Sequence, residues 1–279
     1  MAVAVAAAGL TGAGLVTTTA LPAQAAPQGT LTDFGFDAQS YGSQTTGNEN
    51  ADSGATALSN IPCTRYVPRS NENFVEQAGD GDGVALSNVR TVNFTAVNGD
   101  QTAVTSRVNS SDGTLGGGQI AFSNLTGKVK SYHDASGFHV DTTSTLGTLT
   151  VDGVPVPLPI GDQEMEVPVP GSGTLFVNHQ VGKANQISAV GGVNVLRFVR
   201  DDGTVEKVGR AFSRIDGNIE GGLFQGSAWG SDARTGDVAA LGRGALQPMP
   251  CPGTRGASWT LEPAGPTPLS VSSAPATPP

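Results

Sequence analysis

Residue types able to do acid–base, metal or nucleophilic chemistry are scarce in this chain. It holds three histidines, His133, His139 and His179, among 279 residues. Two of them fall in its richest polar stretch, Tyr132-His133-Asp134-Ala135-Ser136-Gly137-Phe138-His139-Val140-Asp141. If residues 138–142 form a strand, His139 and Asp141 share one face, about 6–7 Å apart by strand rise. With His133-Asp134 across a tight turn, they could ligate a metal or serve a hydrolase. Asp134-Ala135-Ser136-Gly137 is also ordinary turn chemistry. An exposed hairpin is therefore the leading expectation, and a secreted hydrolase with a site near His133, His139 and Asp141 is the alternative.

Other constellations fall short of their chemistry. Gly226-Ser227-Ala228-Trp229-Gly230 has alanine where a nucleophile elbow needs serine. Glu164 and Glu166 stand two apart amid prolines, where solvation is favoured over the cleft that a glycosidase pair requires. Asp80-Gly81-Asp82-Gly83 begins like a calcium loop, but position 91 is threonine where an EF-hand needs a bidentate glutamate; only a looser surface calcium site remains open. Gly116-Gly117-Gly118 and Gly191-Gly192 neither open a helix nor precede Lys-Ser/Thr, so they read as turns between strands, not phosphate cradles. Trp229 and Trp259 read as core residues in preference to a carbohydrate platform. No catalytic, cofactor-binding or metal-binding residue is assigned.

The elements that would position these residues read as strands. Residues 89–97 alternate apolar and polar, Asn98-Gly99 is a type I′ hairpin signal, and residues 101–108 continue the alternation. Asp112-Gly113, Asp152-Gly153 and Asp202-Gly203 mark further turns, flanked by runs at 119–125, 148–151, 154–158, 194–200 and 204–208. Short strands at this spacing predict one all-β, sandwich-like domain over residues 26–261. The best helix candidate, residues 238–246, is weakened by Gly242 and Gly244. Residues 154–170 carry prolines at 155, 157, 159, 168 and 170. Proline cannot donate to a ladder, so this segment should be an edge or a projecting arm.

Composition narrows the class. Charged residues are 14%, Gly 39, Pro 18, aromatics 5%, and net charge is −9. With lysine only at 128, 130, 183 and 207, the chain lacks a footprint for nucleic acid or anionic membranes. Apolar residues at 37% in alternating runs argue against full disorder.

Residues 1–25 read as a signal peptide: an uncharged apolar run ending in Ala23-Gln24-Ala25, a small-x-small cleavage pattern. The missing basic n-region points to a start upstream. In an exported chain, the only two cysteines, Cys63 and Cys251, are expected to pair. Residues 262–279 are rich in Pro, Ser and Ala and read as a disordered tail without a recognisable anchor. The chain is thus either released or anchored through residues beyond those given, with no membrane span once the signal is removed.

The order of features resembles the choice-of-anchor P family of exported actinobacterial proteins. The resemblance rests on Phe34-Gly35-Phe36-Asp37-Ala38-Gln39-Ser40-Tyr41-Gly42, on Ile61-Pro62-Cys63-Thr64, and on the Thr/Ser-rich segments around Leu115 and Leu146-Gly147-Thr148-Leu149. It continues with residues 151–157, the run 168–180, and the strand 193–199 with its Asp202-Gly203 turn. It implies export and a surface role, and no established chemistry. The expectation is an exported cell-envelope or extracellular structural or adhesive β module, without catalytic activity or cofactor. Its partner would be an envelope or surface ligand. Self-assembly is a further possibility, with residues 154–170 as a docking strand.

Overall fold

The computed structural model describes residues 29–47, 53–79, 83–161, 163–217 and 219, and the backbone of 227–228, 231–235, 239–244 and 247–248. The expected signal peptide, the tail, Cys251, Asp80 to Asp82, Trp229 and Trp259 lie outside these residues or have no described side chain.

The described chain is almost entirely strand, as expected for an all-β sandwich-like domain. In order come β1 (Thr30–Thr46), β2 (Ser59–Val67), β3 (Arg69–Gly79), β4 (Ala85–Asn98) and β5 (Gln101–Leu115). A 3-10 turn (Gly116–Gly118) leads to β6 (Ile120–Asp134), β7 (Gly137–Thr145), β8 (Thr148–Val151), β9 (Val154–Pro155) and β10 (Met165–Val169). Then follow β11 (Gly173–Ala184), β12 (Ser188–Arg200) and β13 (Val205–Asp216). The last four are β14 (Ser227–Ala228), β15 (Ser231–Thr235), β16 (Ala239–Gly244) and β17 (Gln247–Pro248). Sheet I runs β10-β11-β12-β13-β1-β2, and sheet II runs β15-β16-β3-β4-β5-β6-β8-β9, with β7 also on β6. Pairing is antiparallel except where β16 meets β3 in parallel. Residues 239–244 are therefore a strand where a weak helix was expected over 238–246.

Turn chemistry explains several connections. Asp152 and Gly153 both have positive φ (49° and 77°) between the paired Val151 and Val154, the type I′ geometry that Asp-Gly favours. In the β4–β5 hairpin the central residues are Gly99 and Asp100, and only Gly99 has positive φ (61°). That fits type II′ in place of the expected type I′. Asp112-Gly113 is no turn: β5 runs through it to Leu115. A Cβ on Gly113 would lie 2.5 Å from Phe122 Cζ and 2.7 Å from Leu86 Cδ2, so this glycine serves packing. Gly191-Gly192 likewise lies inside β12. Gly191 faces Val140 and Val129, and Gly192 makes room for the Arg210 guanidinium.

The proline-rich segment joins the two sheets. It leaves sheet II as β9, crosses over, and re-enters sheet I as β10, both edge strands. Pro155 and Pro168 thus sit where a missing N–H is cheapest. Val156, Leu158, Met165 and Val167 pack against the core, and Ile160 at the crossover apex is 91% exposed.

Two features shape the interior. Leu115, Ile120, Leu125, Leu175, Leu196 and Phe198 fill one region, and Phe36, Ala38, Val104 and Ile215 another. Buried hydroxyls and one amide stitch the facing sheets together. Ser40 Oγ donates to Asn93 Oδ1 (3.3 Å), Asn93 Nδ2 donates to Ser59 Oγ (3.0 Å), and Ser131 Oγ pairs with Ser213 Oγ (2.8 Å). Ser106 Oγ donates to the Gln39 carbonyl (2.9 Å) and accepts from the Phe212 N–H (3.3 Å), a rung of the β1–β13 ladder.

The second feature is a fold line crossing each sheet. Asn88 (φ 51°) and Asn124 (φ 50°) mark it in sheet II; Asn178 (φ 64°) and Gly209 (φ 68°) mark it in sheet I. Asparagine and glycine tolerate this left-handed conformation best. Strand alternation changes phase there. The buried pairs Leu86 and Val89, Phe122 and Leu125, and Val208 and Ala211 are three apart, where strict alternation would require an even spacing.

Candidate functional site

The polar hairpin exists as expected: β6 and β7 pair through Asp134↔Gly137, His133↔Phe138, Tyr132↔His139 and Lys130↔Asp141. Alternation then separates the two histidines. His133 lies with Phe34 (ring centroids 4.8 Å) and Phe138 (4.6 Å), closing one end of the interior. His139 is on the opposite face, stacked on Tyr132 at 5.0 Å. Asp141 shares the face of His139 and is exposed. The three side chains proposed for a hydrolase site do not converge.

One grouping at the hairpin tip was not foreseen. Ser136 Oγ lies 2.8 Å from His139 Nε2 and 2.7 Å from Asp134 Oδ1, and the Ser136 N–H donates to the same oxygen at 2.8 Å. These residue types are those of a hydrolytic triad, but the proton order is wrong for one. The serine proton goes to the carboxylate, so His139 Nε2 is left to donate to the serine oxygen. A nucleophile needs the histidine as acceptor and the carboxylate on the other ring nitrogen. Here Asp134 reaches the same nitrogen, Nε2, at 3.3 Å. The hydrogen bonds from Ser136, with the lesser influence of His139, hold the Asp134 carboxyl below the usual range. The arrangement is an Asx-type turn brace.

The remaining sequence candidates are dispersed. Glu164 accepts from or faces His179 Nδ1 at 2.8 Å, and Glu166 pairs opposite Phe176 at the sheet I edge. The carboxylates therefore have separate neighbours. Cys63 is half-buried on β2, and its expected partner Cys251 is outside the described residues. Among the described residues no cluster of three or more His, Cys, Asp or Glu could hold a metal ion, and no helix is long and apolar enough to cross a membrane.

A cleft of about 340 Å³ lies between β7, the proline-rich crossover and β11. Thr143, Ser144 and Thr145 form one wall, Leu158 and Pro159 another, and Asn178 the floor. Ser144 Oγ donates to Asn178 Oδ1 at 2.6 Å, and Asn178 Nδ2 donates to the Gln163 carbonyl at 3.2 Å. Among the described residues the lining holds no titratable group, and it offers hydroxyls and apolar surface. Its sequence trace was the hydroxyl run Thr142-Thr143-Ser144-Thr145, which reads only as a β-forming stretch when taken alone.

The broadest feature is the outer face of sheet II. Over β3 to β7, Phe74, Arg90, Phe94, Arg107, Lys128 and Thr143 are exposed on this face, while Ala103 and Thr105 of the central strand β5 are buried. The Lys128-Val129-Lys130 spacing was its sequence signal, since residues two apart share a face. On sheet I, by contrast, Arg214 is clamped by Asp216 (2.7 and 2.8 Å), and Arg200 is paired with the buried Glu206. Glu206 also accepts from the Gly116 N–H at 2.8 Å.

No protein-family model matches the chain, and comparison with curated proteins and with solved structures gives no significant match. Fold and site together define a class only: an all-β protein of two facing sheets, largely antiparallel.

Proposed function

We propose that this chain is an exported structural or adhesive β module that acts at or near the cell envelope, without catalysis. The observation that carries the reading is the open outer face of sheet II, five adjacent strands broad, with exposed aromatic and cationic side chains. Single exposed apolar residues are ordinary on a protein surface, but aromatic and arginine side chains gathered on one face are typical of contact surfaces. The resemblance to choice-of-anchor P and the signal-like residues 1–25 support export. The dispersed histidines and carboxylates remove the geometric basis for the hydrolase alternative. The strand-forming parts of residues 154–170 are already paired within the chain, which leaves the crossover apex as the part of that segment free to dock.

Sedimentation with purified actinobacterial cell envelopes tests the reading. The secreted protein should co-pellet, and its intact mass should correspond to a chain beginning at Ala26. Protein that stays wholly in the supernatant overturns the adhesive role, and a cytosolic product retaining residues 1–25 overturns export.

A further inference from the structure

We infer that the outer face of sheet II is a binding surface for an acidic polysaccharide, a ligand assignment that rests on the module reading above. The argument starts from register. Arg107 on β5 stands directly opposite Lys128 on β6, and Lys130 follows two residues along the same strand. Strands lie about 4.8 Å apart, and same-face neighbours along a strand about 7 Å apart. Three cations therefore crowd the centre of the face, with Arg90 one strand away on β4.

These cations are disposed differently from those of sheet I. No ion pair among the described residues engages Arg107, Lys128 or Lys130. Arg107 Nε reaches only the Asn109 amide oxygen (3.3 Å), and Lys130 donates to Gln101 and lies over the Tyr132 ring at 4.7 Å. Carboxylates share this face: Glu72 on β3 stands opposite Val92 and is bound by Arg90 at 2.6 Å, Glu76 follows on β3, and Asp141 on β7 stands directly opposite Lys130. Asp112 lies beyond the Asn88–Asn124 fold line. Arg107 and Lys128 face each other with Val92 and Thr143, not acids, as their other cross-strand neighbours; like charges directly opposite cost stability, and an incoming anion relieves that cost.

The second half of the argument is the apolar strip beside the cations. Phe74 (43% exposed) and Phe94 (39%) flank half-buried Val92 on β3 and β4. A sugar ring presents an apolar C–H face and polar edges. A polymer laid across the strands would place ring faces on Phe94 and acidic groups at Arg107 and Lys128. Charge density selects against other polyanions. Duplex nucleic acid carries about one charge per 1.7 Å, which the net −9 of the chain opposes, whereas a polymer with one carboxylate per sugar is far sparser. Near physiological salt the Debye length is about 8 Å, so the patch acts on a ligand resting on it while distant acidic turns are screened.

Affinity electrophoresis of the full chain through gels containing polygalacturonate, neutral dextran or inorganic polyphosphate tests the assignment. Polygalacturonate should retard the protein, and the other two should not. Arg107→Gln with Lys128→Gln should weaken polygalacturonate binding about tenfold or more without lowering the melting temperature, since the opposed like charges are removed. Phe94→Ser should weaken it independently, without altering the salt dependence. Unchanged binding in the double variant, equal retardation by dextran, or equal retardation by polyphosphate each overturns the proposal. Envelope sedimentation without polygalacturonate binding removes only the ligand assignment; loss of both removes the module reading as well.

Discussion

Asp37 stands on β1 across the ladder from Arg214, whose guanidinium is already held at both oxygens of Asp216. Burial pushes the Asp37 carboxyl up to about 6; Arg214 pulls it down and Asp216 pushes it further up. Asp216 is itself raised, chiefly by burial. Because the folded value exceeds the unfolded one, the native state holds this proton more tightly than the open chain does. The favourable contribution is full below about pH 4 and disappears as pH rises through 6. One pK unit corresponds to about 1.4 kcal/mol, so ionising Asp37 at neutral pH costs on the order of 1–3 kcal/mol. Asp37→Asn should therefore raise stability at pH 7.5 by about that much and change it little at pH 4. Thermal unfolding of both proteins across that range measures the difference; a wild type whose stability is flat from pH 4 to 7 would sink the idea. The same residue shows how position defeats composition: an aspartate in an alternating strand reads as solvated, and only the neighbouring strand reveals the Arg214–Asp216 pair beside it.

At the scale of elements, the fold line is where the long strands of both sheets change the phase of their alternation. Gly209 meets it under the tightest conditions, with φ 68° and a Cβ position 2.5 Å from Leu125 Cδ2 and 3.0 Å from Val195 Cγ2. Left-handed backbone costs a non-glycine residue about 1–2 kcal/mol, and overpacking a well-filled core another 1–3. Gly209→Ala should lose about 2–4 kcal/mol. Gly99→Ala, equally left-handed (φ 61°) but with open space at its Cβ, should lose only the backbone part. Urea unfolding of the pair separates the two costs, and equal losses would refute the packing account. Much of this architecture was legible in the chain: strand class, the Asp152-Gly153 turn, and edge placement of the prolines all follow from local chemistry. The fold line was not, because an isolated asparagine inside an alternating run carries no period. Asp112-Gly113 misled for a related reason. Turn propensity and the need for space beside Phe122 select the same residue, and only the partner strand distinguishes them. The hairpin of His139 was legible as a hairpin, while the direction of its proton network depended on where Ser136 places its hydroxyl.

For the whole molecule, part of the acidity sits apart from the sheet faces. Asp100, Asp134, Asp152, Asp201 and Asp202 sit at strand ends and turns, where Asp202 accepts from the Thr204 N–H (2.8 Å) and Asp134 from Ser136. Cations sit along the strands. Part of the acidity behind the net −9 is thus turn chemistry, and the surface that meets a partner need not share the sign of the whole chain. Closure of the molecule raises a separate question, since its strands are joined by sequence-distant pairings: β1 lies on β13, and β16 lies beside β3. A bond between Cys63 on β2 and Cys251, which follows β17, would tie the early and late strands of the described chain together. Cross-linking a loop of more than a hundred residues contributes up to about 5 kcal/mol by chain entropy, with measured values commonly 2–4. That is a large share of the 5–15 kcal/mol typical of a domain. The expected outcome is an intact mass unchanged by alkylation without reductant, and a stability that falls by about 2–5 kcal/mol when reductant is present. Two alkylated thiols in the native, unreduced protein would refute the staple, and stability would then have to come from the buried hydroxyl seam and the apolar clusters alone.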